Sequence, residues 1–383
     1  MITESNAAGT PAPMRRAAAP LLFILLGLIY ATWAARIPAI REALTMNPAQ
    51  LGLVLLCGGI GSVISFPISA SLVGRLGARR GTLISGIVLL AIFPMLALAP
   101  SIVLLMAGMI VYGIAGACYD VAINALAAAE EKAAGRSIMS MLHAWFCVGT
   151  LSGAMLGSVV AGAGVGVVVH FGWIAIALAI LLWLACRALP SDEPQAAPPA
   201  KKRFALPHGA LIVLGVIGFC GAIAEGSLVD WSSVYMHDRM QASEGIAPLG
   251  FAAFSGMMLF TRLIGDRMKD RFGARAVVGA GALTASLGVF IAVFAPSIPV
   301  AVAGFGLAGV GLATVFPFVY AAAARHGATA LAGVATMGYS GGLLGPPTIG
   351  FIANSMGMQA ALGFLGLLSV SIALAAAKAK SLS

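Results

Sequence analysis

Apolar residues run along this chain in twelve long blocks, separated by short polar or turn-forming segments. A helix needs about 20 apolar residues to cross a membrane, and the blocks have that length. The pattern therefore predicts an all-α membrane protein with twelve transmembrane helices. Their predicted bounds are 20–42, 48–72, 81–99, 101–128, 137–162, 168–188, 208–236, 246–267, 275–295, 297–324, 329–354 and 358–378.

A segment rich in Pro, Ala and charge, "PSDEPQAAPPAKKRFALP" (190–207), separates six blocks from the other six. This division predicts five parts. They are a disordered cytoplasmic tail at 1–19, an N-terminal six-helix bundle at 20–188, a cytoplasmic linker at 189–207, a C-terminal six-helix bundle at 208–378 and a cytoplasmic tail at 379–383.

Composition supports a protein embedded in lipid. Hydrophobic residues make up 60% of the chain and charged residues only 9%, which is too apolar for a soluble protein of 383 residues. With the N-terminus inside, all of the 22 Lys and Arg residues except Arg36, Arg41 and Arg239 fall on the cytoplasmic side. We therefore expect both termini in the cytoplasm of a bacterial inner membrane. This topology also accounts for the net charge of +9 without a nucleic-acid partner.

The two predicted bundles repeat one another in sequence. "LAPSIVLLMAG" (98–108) matches "FAPSIPVAVAG" (294–304), and "GRLGARR" (74–80) matches "DRFGARA" (270–276), both at an offset of 196 residues. Trp33 matches Trp231 at an offset of 198. Parallel six-helix repeats related by an axis along the membrane normal are one plan of secondary transporters, so we expect two pseudo-symmetric bundles.

Along residues 20–378 the chain resembles the major facilitator superfamily. The loops after the second and eighth blocks, "ASLVGRLGARR" (70–80) and "DRMKDRFGAR" (266–275), look like the family's signature loop. Gly74 replaces the usual acid in the first loop, whereas Asp270 supplies it in the second. The residues that match the signature loops are Arg75, Gly77, Arg79, Arg80, Asp266, Arg267, Asp270, Arg271 and Gly273.

Three further stretches resemble a bacterial branch related to the fucose permease type of sugar–proton symporter. They are "WAARIPAIREAL" (33–44), "YDVAINALAAAEEKAAGRSIMSMLHAWF" (119–146) and "AEGSLVDWSSVYMHD" (224–238). The resemblance implies alternating access between two rocking bundles and a small-molecule substrate.

Asp120 is the only charge in a long apolar run of the fourth block, and an ionisable group inside a membrane span is by default a functional hypothesis. With the predicted bounds, Asp120 and His143 of the fifth block lie at similar depth near the cytoplasmic side, and Asn124 lies one turn from Asp120. One reading is a structural brace between buried polar groups. The other is a proton-coupled inner gate, because such a pair can titrate near neutral pH.

A second group of polar residues is predicted in the outer half of the membrane. Arg36 and Glu225 lie at matching heights in the first and seventh blocks, with Asp230 about one turn further out and Trp33 and Trp231 beside them. Charges next to aromatic faces suit a sugar-like ligand. We also assign Tyr339 of the eleventh block to this substrate site. An outer-gate salt bridge with interfacial tryptophans is the alternative. The charges at the inner end of the eighth block, including Arg262 and Asp266, are expected to hold the inner side closed through ion pairs.

Other chemistries lack a basis in the sequence. The five cysteines fall in apolar blocks without metal-ligand spacing. "GFGLAG" (304–309) lies within a predicted span and not in a βαβ unit, and there is no Walker A motif. We therefore expect no cofactor, no metal site and no enzyme.

These observations lead to one functional hypothesis with alternatives. We expect a secondary active transporter that carries a small polar, sugar-like solute by alternating access with protons as the coupling ion. Glu225 is a second candidate for proton coupling, and the chain is expected to be a monomer. The alternatives are an exporter of drugs or metabolites with the same fold, and a membrane sensor that transports nothing.

Overall fold

The computed structural model describes residues 12–135, 138–189, 207, 209 and 211–382, and within these ranges the regular structure is entirely helical. A short 3-10 helix, Lys380–Leu382, follows the last α-helix. The α-helices are α1 (Ala12–Ala43), α2 (Pro48–Leu76), α3 (Ala78–Ala97), α4 (Ile102–Ala134), α5 (Met139–Gly162), α6 (Val167–Ala188), α7 (Leu211–Asp238), α8 (Leu249–Phe272), α9 (Ala274–Val293), α10 (Ile298–Leu312), α11 (Val315–Ala324), α12 (Ala328–Met356) and α13 (Met358–Lys378).

The described helices agree with the twelve predicted blocks. Ten helical segments are long and apolar enough to cross a membrane when α10 and α11 are taken together as Ile298–Ala324. The remaining two, α8 and α12, have 24 and 29 residues and are therefore also long enough. They are less apolar because α8 ends in "DRMKDRF" and α12 contains Gly, Pro, Ser and Thr.

The largest differences from the predicted bounds occur in α1 and α4. α1 begins at Ala12, within the predicted tail, because the alanine-rich residues before the first block extend the helix. α4 continues to Ala134, six residues beyond its predicted end. Residues 1–11 and most of the predicted linker lie outside the described residues, so disorder in the tail and the linker itself stay predictions.

The tenth block is broken into α10 and α11 at Ala313 and Thr314. In a continuous helix the carbonyl oxygen of Ala313 would accept a hydrogen bond from the N–H of residue 317. That residue is Pro317, which has no N–H. The break therefore follows from the sequence, and it leaves the carbonyl of Ala313 available to another donor.

The internal repeat is visible in the backbone and in the packing. Gly77 and Gly273, 196 residues apart, precede α3 and α9 with φ values of 82° and 79°, which glycine adopts without strain. A Cβ on Gly113 of α4 would lie 2.0 Å from the carbonyl oxygen of Gly58 in α2. At the same offset, a Cβ on Gly309 of α10 would lie 2.1 Å from the carbonyl oxygen of Phe254 in α8. Glycine at these matched positions lets the helix backbones approach closely.

The described residues form two compact units. The first lies within Met1–Trp33, Cys57–Gly153 and Gly164–Ala200, and the second within Ala34–Leu56, Ala154–Ala163 and Lys201–Ser383. The second unit thus contains the end of α1, the start of α2 and the end of α5 as well as the C-terminal helices. Within it, the Ser158 hydroxyl donates to the carbonyl of Gly245, and Gly52 packs against Pro346 and Gly350.

Candidate functional site

Asp120 lies on α4 in the first unit, where its carboxylate is half-buried. The side-chain amide of Asn124, one turn further on, donates to the Asp120 carboxylate (Nδ2 to Oδ1, 3.0 Å) and to the Asp120 backbone carbonyl (2.9 Å). Tyr30 of α1 lies within electrostatic range of the same carboxylate. A Cβ on Gly116 would lie 2.5 Å from the Tyr30 hydroxyl, so glycine leaves room for the phenol. A carboxylate, an amide and a phenol therefore meet between α1 and α4.

α4 is longer than predicted, so Asp120 lies further from its end. Asp120 lies 14 residues before Ala134, which is about 21 Å along the helix. His143 lies four residues after the start of α5 and packs its ring edge against Phe23 at 5.3 Å. Leu22, the neighbour of Phe23, accepts a hydrogen bond from the hydroxyl of Tyr119. His143 thus lies against α1 at Phe23, whereas the α1 residue near Asp120 is Tyr30, and direct pairing of His143 with Asp120 stays a prediction.

Both tryptophans of the predicted ligand site are packing residues in this structure. Trp33 is 5% exposed and lies among the rings of Tyr112 and Phe171, at centroid distances of 6.2 and 6.5 Å. Trp231 is fully buried. In this structure both rings are covered by the protein, and their contact with a ligand stays a prediction.

Arg36 is paired differently from the expectation. It forms an ion pair with Glu244 (3.5 Å), which lies in the segment between α7 and α8. Close by in sequence, Arg41 pairs with Asp238, and His237 lies 3.1 Å from Asp238 and 4.0 Å from Glu42. These contacts join the end of α1 to the end of α7 within the second unit. They agree with the outer salt-bridge reading of Arg36.

Glu225 of α7 pairs with Arg262 of α8, at 3.3 Å between Oε1 and the guanidinium. The Nε of Arg262 also donates to the freed carbonyl of Ala313, at 3.3 Å, so the break in the tenth span holds the arginine. The second carboxylate oxygen of Glu225 is buried and has no hydrogen-bond partner among the described residues. Both side chains remain partly exposed, at 23% for Glu225 and 29% for Arg262. We call this pair half-open, because both side chains are partly exposed and one carboxylate oxygen of Glu225 can still accept a hydrogen bond.

Two tyrosines complete the surroundings of this pair. Tyr320 of α11 lies within electrostatic range of both Glu225 and Tyr339. Tyr339 of α12 is 65% exposed, whereas the Tyr320 hydroxyl reaches over Gly338, where a Cβ would lie 2.6 Å from it. Carboxylate, guanidinium and phenol groups from α7, α8, α11 and α12 are thus gathered in one place.

Arg262 and Tyr320 were not included among the substrate-site residues in the sequence analysis. Comparing the positions of Glu225 and Arg262 within their helices would have identified Arg262. Glu225 lies 13 residues before the end of α7, and Arg262 lies 13 residues after the start of α8. Antiparallel helices joined by one short segment place such residues at the same depth. The internal repeat instead matched Glu225 with Arg36, and it gives no information about Arg262 on the adjacent helix.

The signature loops occupy the ends of α2 and α8. Among the described residues, the four charges of the second loop form no ion pair and are exposed, so the expected inner brace is absent from this structure. The four are Asp266, Arg267, Asp270 and Arg271. In the first loop, Arg75 ends α2, and Arg79 and Arg80 lie in the first turn of α3. No group of His, Cys, Asp and Glu that could hold a metal ion was found within the described ranges.

A multi-pass helical membrane protein with a repeated six-helix plan and half-buried charges within its spans has the architecture of a membrane transporter. The sequence model of the Major Facilitator Superfamily matches residues 19–269. The chain belongs to that superfamily and is a membrane transporter of its type.

Curated relatives and solved structures agree with this assignment. An uncharacterised MFS-type transporter of Yersinia pestis is 34% identical over 362 residues, covering 93% of each chain. An uncharacterised transporter of Sinorhizobium fredii is 34% identical over 358 residues, covering 92% of this chain and 95% of its own. A crystal structure of a variant of the nucleoside transporter NupG superposes with a TM-score of 0.78 at 15% identity, covering 96% of this chain and all of that one. At that identity the likeness concerns the fold alone.

Proposed function

We propose that this chain is a secondary active transporter of the bacterial inner membrane that moves a small polar, sugar-like solute by alternating access. In this proposal the transporter is proton-coupled and belongs to the branch that resembles the fucose permease type. The observation that carries the proposal is the half-open Glu225–Arg262 pair, with one free carboxylate oxygen and two tyrosines nearby.

The chemistry of this pair suits a ligand with several hydroxyl groups. The free oxygen of Glu225 accepts a hydrogen bond, and the guanidinium of Arg262 donates. The exposed ring of Tyr339 offers an apolar face together with a polar tip, as ligand sites often do. A site of this kind discriminates strongly against analogues that lack the hydroxyls, because its buried polar groups are then left unpaired.

The proposal uses the predicted site residues in a revised way. Glu225 and Tyr339 stay as substrate contacts, and Arg262 and Tyr320 join them. Arg36 instead pairs with Glu244, and the two tryptophans pack the helices. Asp120, with Asn124 and Tyr30 around it, is proposed as a proton-coupling group of the first unit.

A ligand screen by thermal stability tests the substrate class. The full-length protein in detergent is heated with hexoses, nucleosides, organic acids and hydrophobic drugs in turn. Nucleosides are included because they contain a sugar and because the NupG structure shares the fold. A ligand at 100 times its Kd stabilises the folded state by about 2.7 kcal/mol, which is readily measured as a shift in melting temperature.

Two matched variants decide where the ligand binds. We expect Glu225→Gln to abolish the shift caused by a sugar-like ligand, and Glu244→Gln to keep it, because Glu244 pairs with Arg36 and not with Arg262. A shift that Glu225→Gln leaves unchanged contradicts the proposed site. Stabilisation by hydrophobic drugs alone would instead support the exporter alternative.

A further inference from the structure

Asp230 lies on α7, five residues beyond Glu225, and is the acid of this helix that no partner neutralises. Glu225 is paired with Arg262 and Asp238 with Arg41. Asp230 makes no hydrogen bond and no ion pair with any described residue, although it is half-buried. An ionised carboxylate in a membrane span is costly unless a partner or a bound cation compensates it.

The neighbours of Asp230 on the helix surface are also polar and unsatisfied. Ser227 and Ser233 lie three residues before and three residues after it, and residues at this spacing are neighbours on a helix. Both serines are fully buried, and neither hydroxyl has a partner among the described residues. Buried hydroxyls are normally satisfied by protein or by ordered water. Asp230 thus has an unpartnered hydroxyl-bearing neighbour on each side of it along α7.

The stripe of α7 that carries Asp230 is partly exposed, whereas the two serines are buried. The half-buried positions of the helix, which include Ala222, Glu225, Gly226, Val229 and Asp230, recur at helical spacing and form one stripe. A Cβ on Gly226, one turn before Asp230, would meet nothing within 4 Å. The helix surface one turn before Asp230 is therefore not crowded by other parts of the chain that the structure describes.

Charges on the helices packed against α7 do not reach Asp230. α10 and α12 carry no charged residue, and α11 and α12 contribute the phenols of Tyr320 and Tyr339, which lie by Glu225. On α8, Arg262 is held by Glu225, and the other charges lie in its last turns. Lys378 ends α13. Near the outer end of α7, the charged or titratable residues are Arg36, Arg41, Glu42, His237, Arg239 and Glu244, and none of these pairs with Asp230.

We propose that Asp230, with the hydroxyls of Ser227 and Ser233, forms a binding site for a monovalent cation, either a proton or Na⁺. Oxygen ligands are what hard cations prefer, and a bound proton or sodium ion removes the cost of the unpaired carboxylate. The site is separate from the Glu225–Arg262 pair, because five residues of helix correspond to about 7.5 Å. Its role as a coupling-ion site rests on the proposed transport function.

Infrared spectroscopy of the full-length protein in liposomes tests the site without any knowledge of the substrate. The probes are the proton and NaCl, with KCl as the reference salt at pH 7. A protonated carboxylic acid has a C=O stretching band that an ionised carboxylate lacks. In KCl we expect this band in the wild type and its loss in Asp230→Asn. Glu42→Gln, which removes an exposed acid, serves as the control and should keep the band.

The salt then distinguishes the two cations. If the site binds the proton alone, replacing KCl by NaCl leaves the band unchanged. If it binds Na⁺, NaCl removes the band and raises the melting temperature in the wild type but not in Asp230→Asn. Either result supports the site. The proposal is overturned if Asp230→Asn leaves both the spectrum and the salt response unaltered.

Two further variants guard against a misfolded Asp230→Asn protein. Asp230→Glu keeps an acid and should shift the band without removing it. The double variant Ser227→Ala with Ser233→Ala should also shift the band, because the proposed site then lacks two of its three oxygen ligands. Unshifted spectra in both variants would overturn the site. A failed ligand screen with an intact infrared result would contradict the sugar-like substrate and leave the ion site standing.

Discussion

Asp120 and Asn124 show how a single acid can be held in a membrane helix without a cation. The Asn124 amide donates to the carboxylate from one turn away, so the acid has a donor that belongs to its own helix. The sequence analysis found both residues from their isolation in an apolar run. It could not find Tyr30, because a tyrosine within a membrane span is not unusual by itself. Only the packing of α1 on Gly116 brings its hydroxyl near Asp120.

We expect Asp120→Asn to separate exchange from gradient-driven uptake. The new amide keeps an oxygen that accepts from Asn124, so folding is preserved, but it cannot carry a proton. In proteoliposomes loaded with the ligand from the screen, exchange should persist while accumulation driven by a pH gradient falls to the equilibrium level. Glu42→Gln serves as the control and should accumulate normally. Full pH-driven uptake by Asp120→Asn would refute the coupling role and leave the structural brace.

Arg262 makes two different contacts, and lysine can replace only one of them. Its guanidinium pairs with Glu225 and its Nε donates to Ala313. Lysine presents a single ammonium group without the planar fork of arginine. We expect Arg262→Lys to weaken ligand binding about tenfold, equivalent to about 1.4 kcal/mol, as measured by titration calorimetry. Arg267→Lys, an exposed residue of the same helix, should bind with wild-type affinity, and equal losses in both variants would count against the site.

At the scale of the helices, hydropathy and proline account for most of what the sequence could predict. The positions of the apolar blocks were predictable because each helix must satisfy its own backbone in lipid. Pro317 predicts bending of the tenth span, but a full break between α10 and α11 did not follow from it alone, since many membrane helices tolerate proline without breaking. Whether a freed carbonyl finds a donor depends on a neighbouring helix, here through Arg262, and a pattern along one chain segment does not contain that information.

The matched glycines at the helix contacts give a prediction about stability. Replacing Gly113 or Gly309 by alanine inserts a methyl group where a carbonyl oxygen already lies, at 2.0 and 2.1 Å. Overpacking of this kind costs about 1–3 kcal/mol. We expect both variants to melt at clearly lower temperature than the wild type in the same detergent.

Gly172→Ala of α6 is the matched control for the glycine series, since its Cβ would meet nothing within 4 Å. It should melt at or slightly above the wild-type temperature, because alanine favours the helix more than glycine does. Equal melting temperatures for all three variants would show that these close approaches are not rigid.

At the scale of the whole molecule, the duplicated plan was predictable and the pairing of its charges was not. The offset of 196 residues predicted matching turns, and Gly77 and Gly273 confirm it with nearly equal backbone angles. The ion pairs do not follow the repeat. Glu225 pairs with Arg262 of the next helix, whereas Arg36 pairs with Glu244, and both pairs depend on side-chain reach and not on the periodicity of apolar residues.

The proposed topology gives a prediction for the complete chain in cells. Because twelve spans return the chain to its starting side and the Lys and Arg bias favours the cytoplasm, a green fluorescent protein fused after Ser383 should fluoresce. Alkaline phosphatase fused after Thr45, between α1 and α2, should be active because it is exported. An active phosphatase at the C-terminus would reverse the proposed orientation.

The broken tenth span has a consequence for the relation between the two halves. At the repeat offset, Ala313 corresponds to Ala117 and Pro317 to Val121, and α4 runs through these positions without interruption. The first half has a continuous helix here and carries Asp120, while the second half has a proline, and its released carbonyl accepts a hydrogen bond from Arg262. The two halves therefore differ in function-bearing residues at this span. A chimera built from two copies of the first half would carry Asp120 twice and lack the Arg262 contact, and one built from two copies of the second half would lack Asp120.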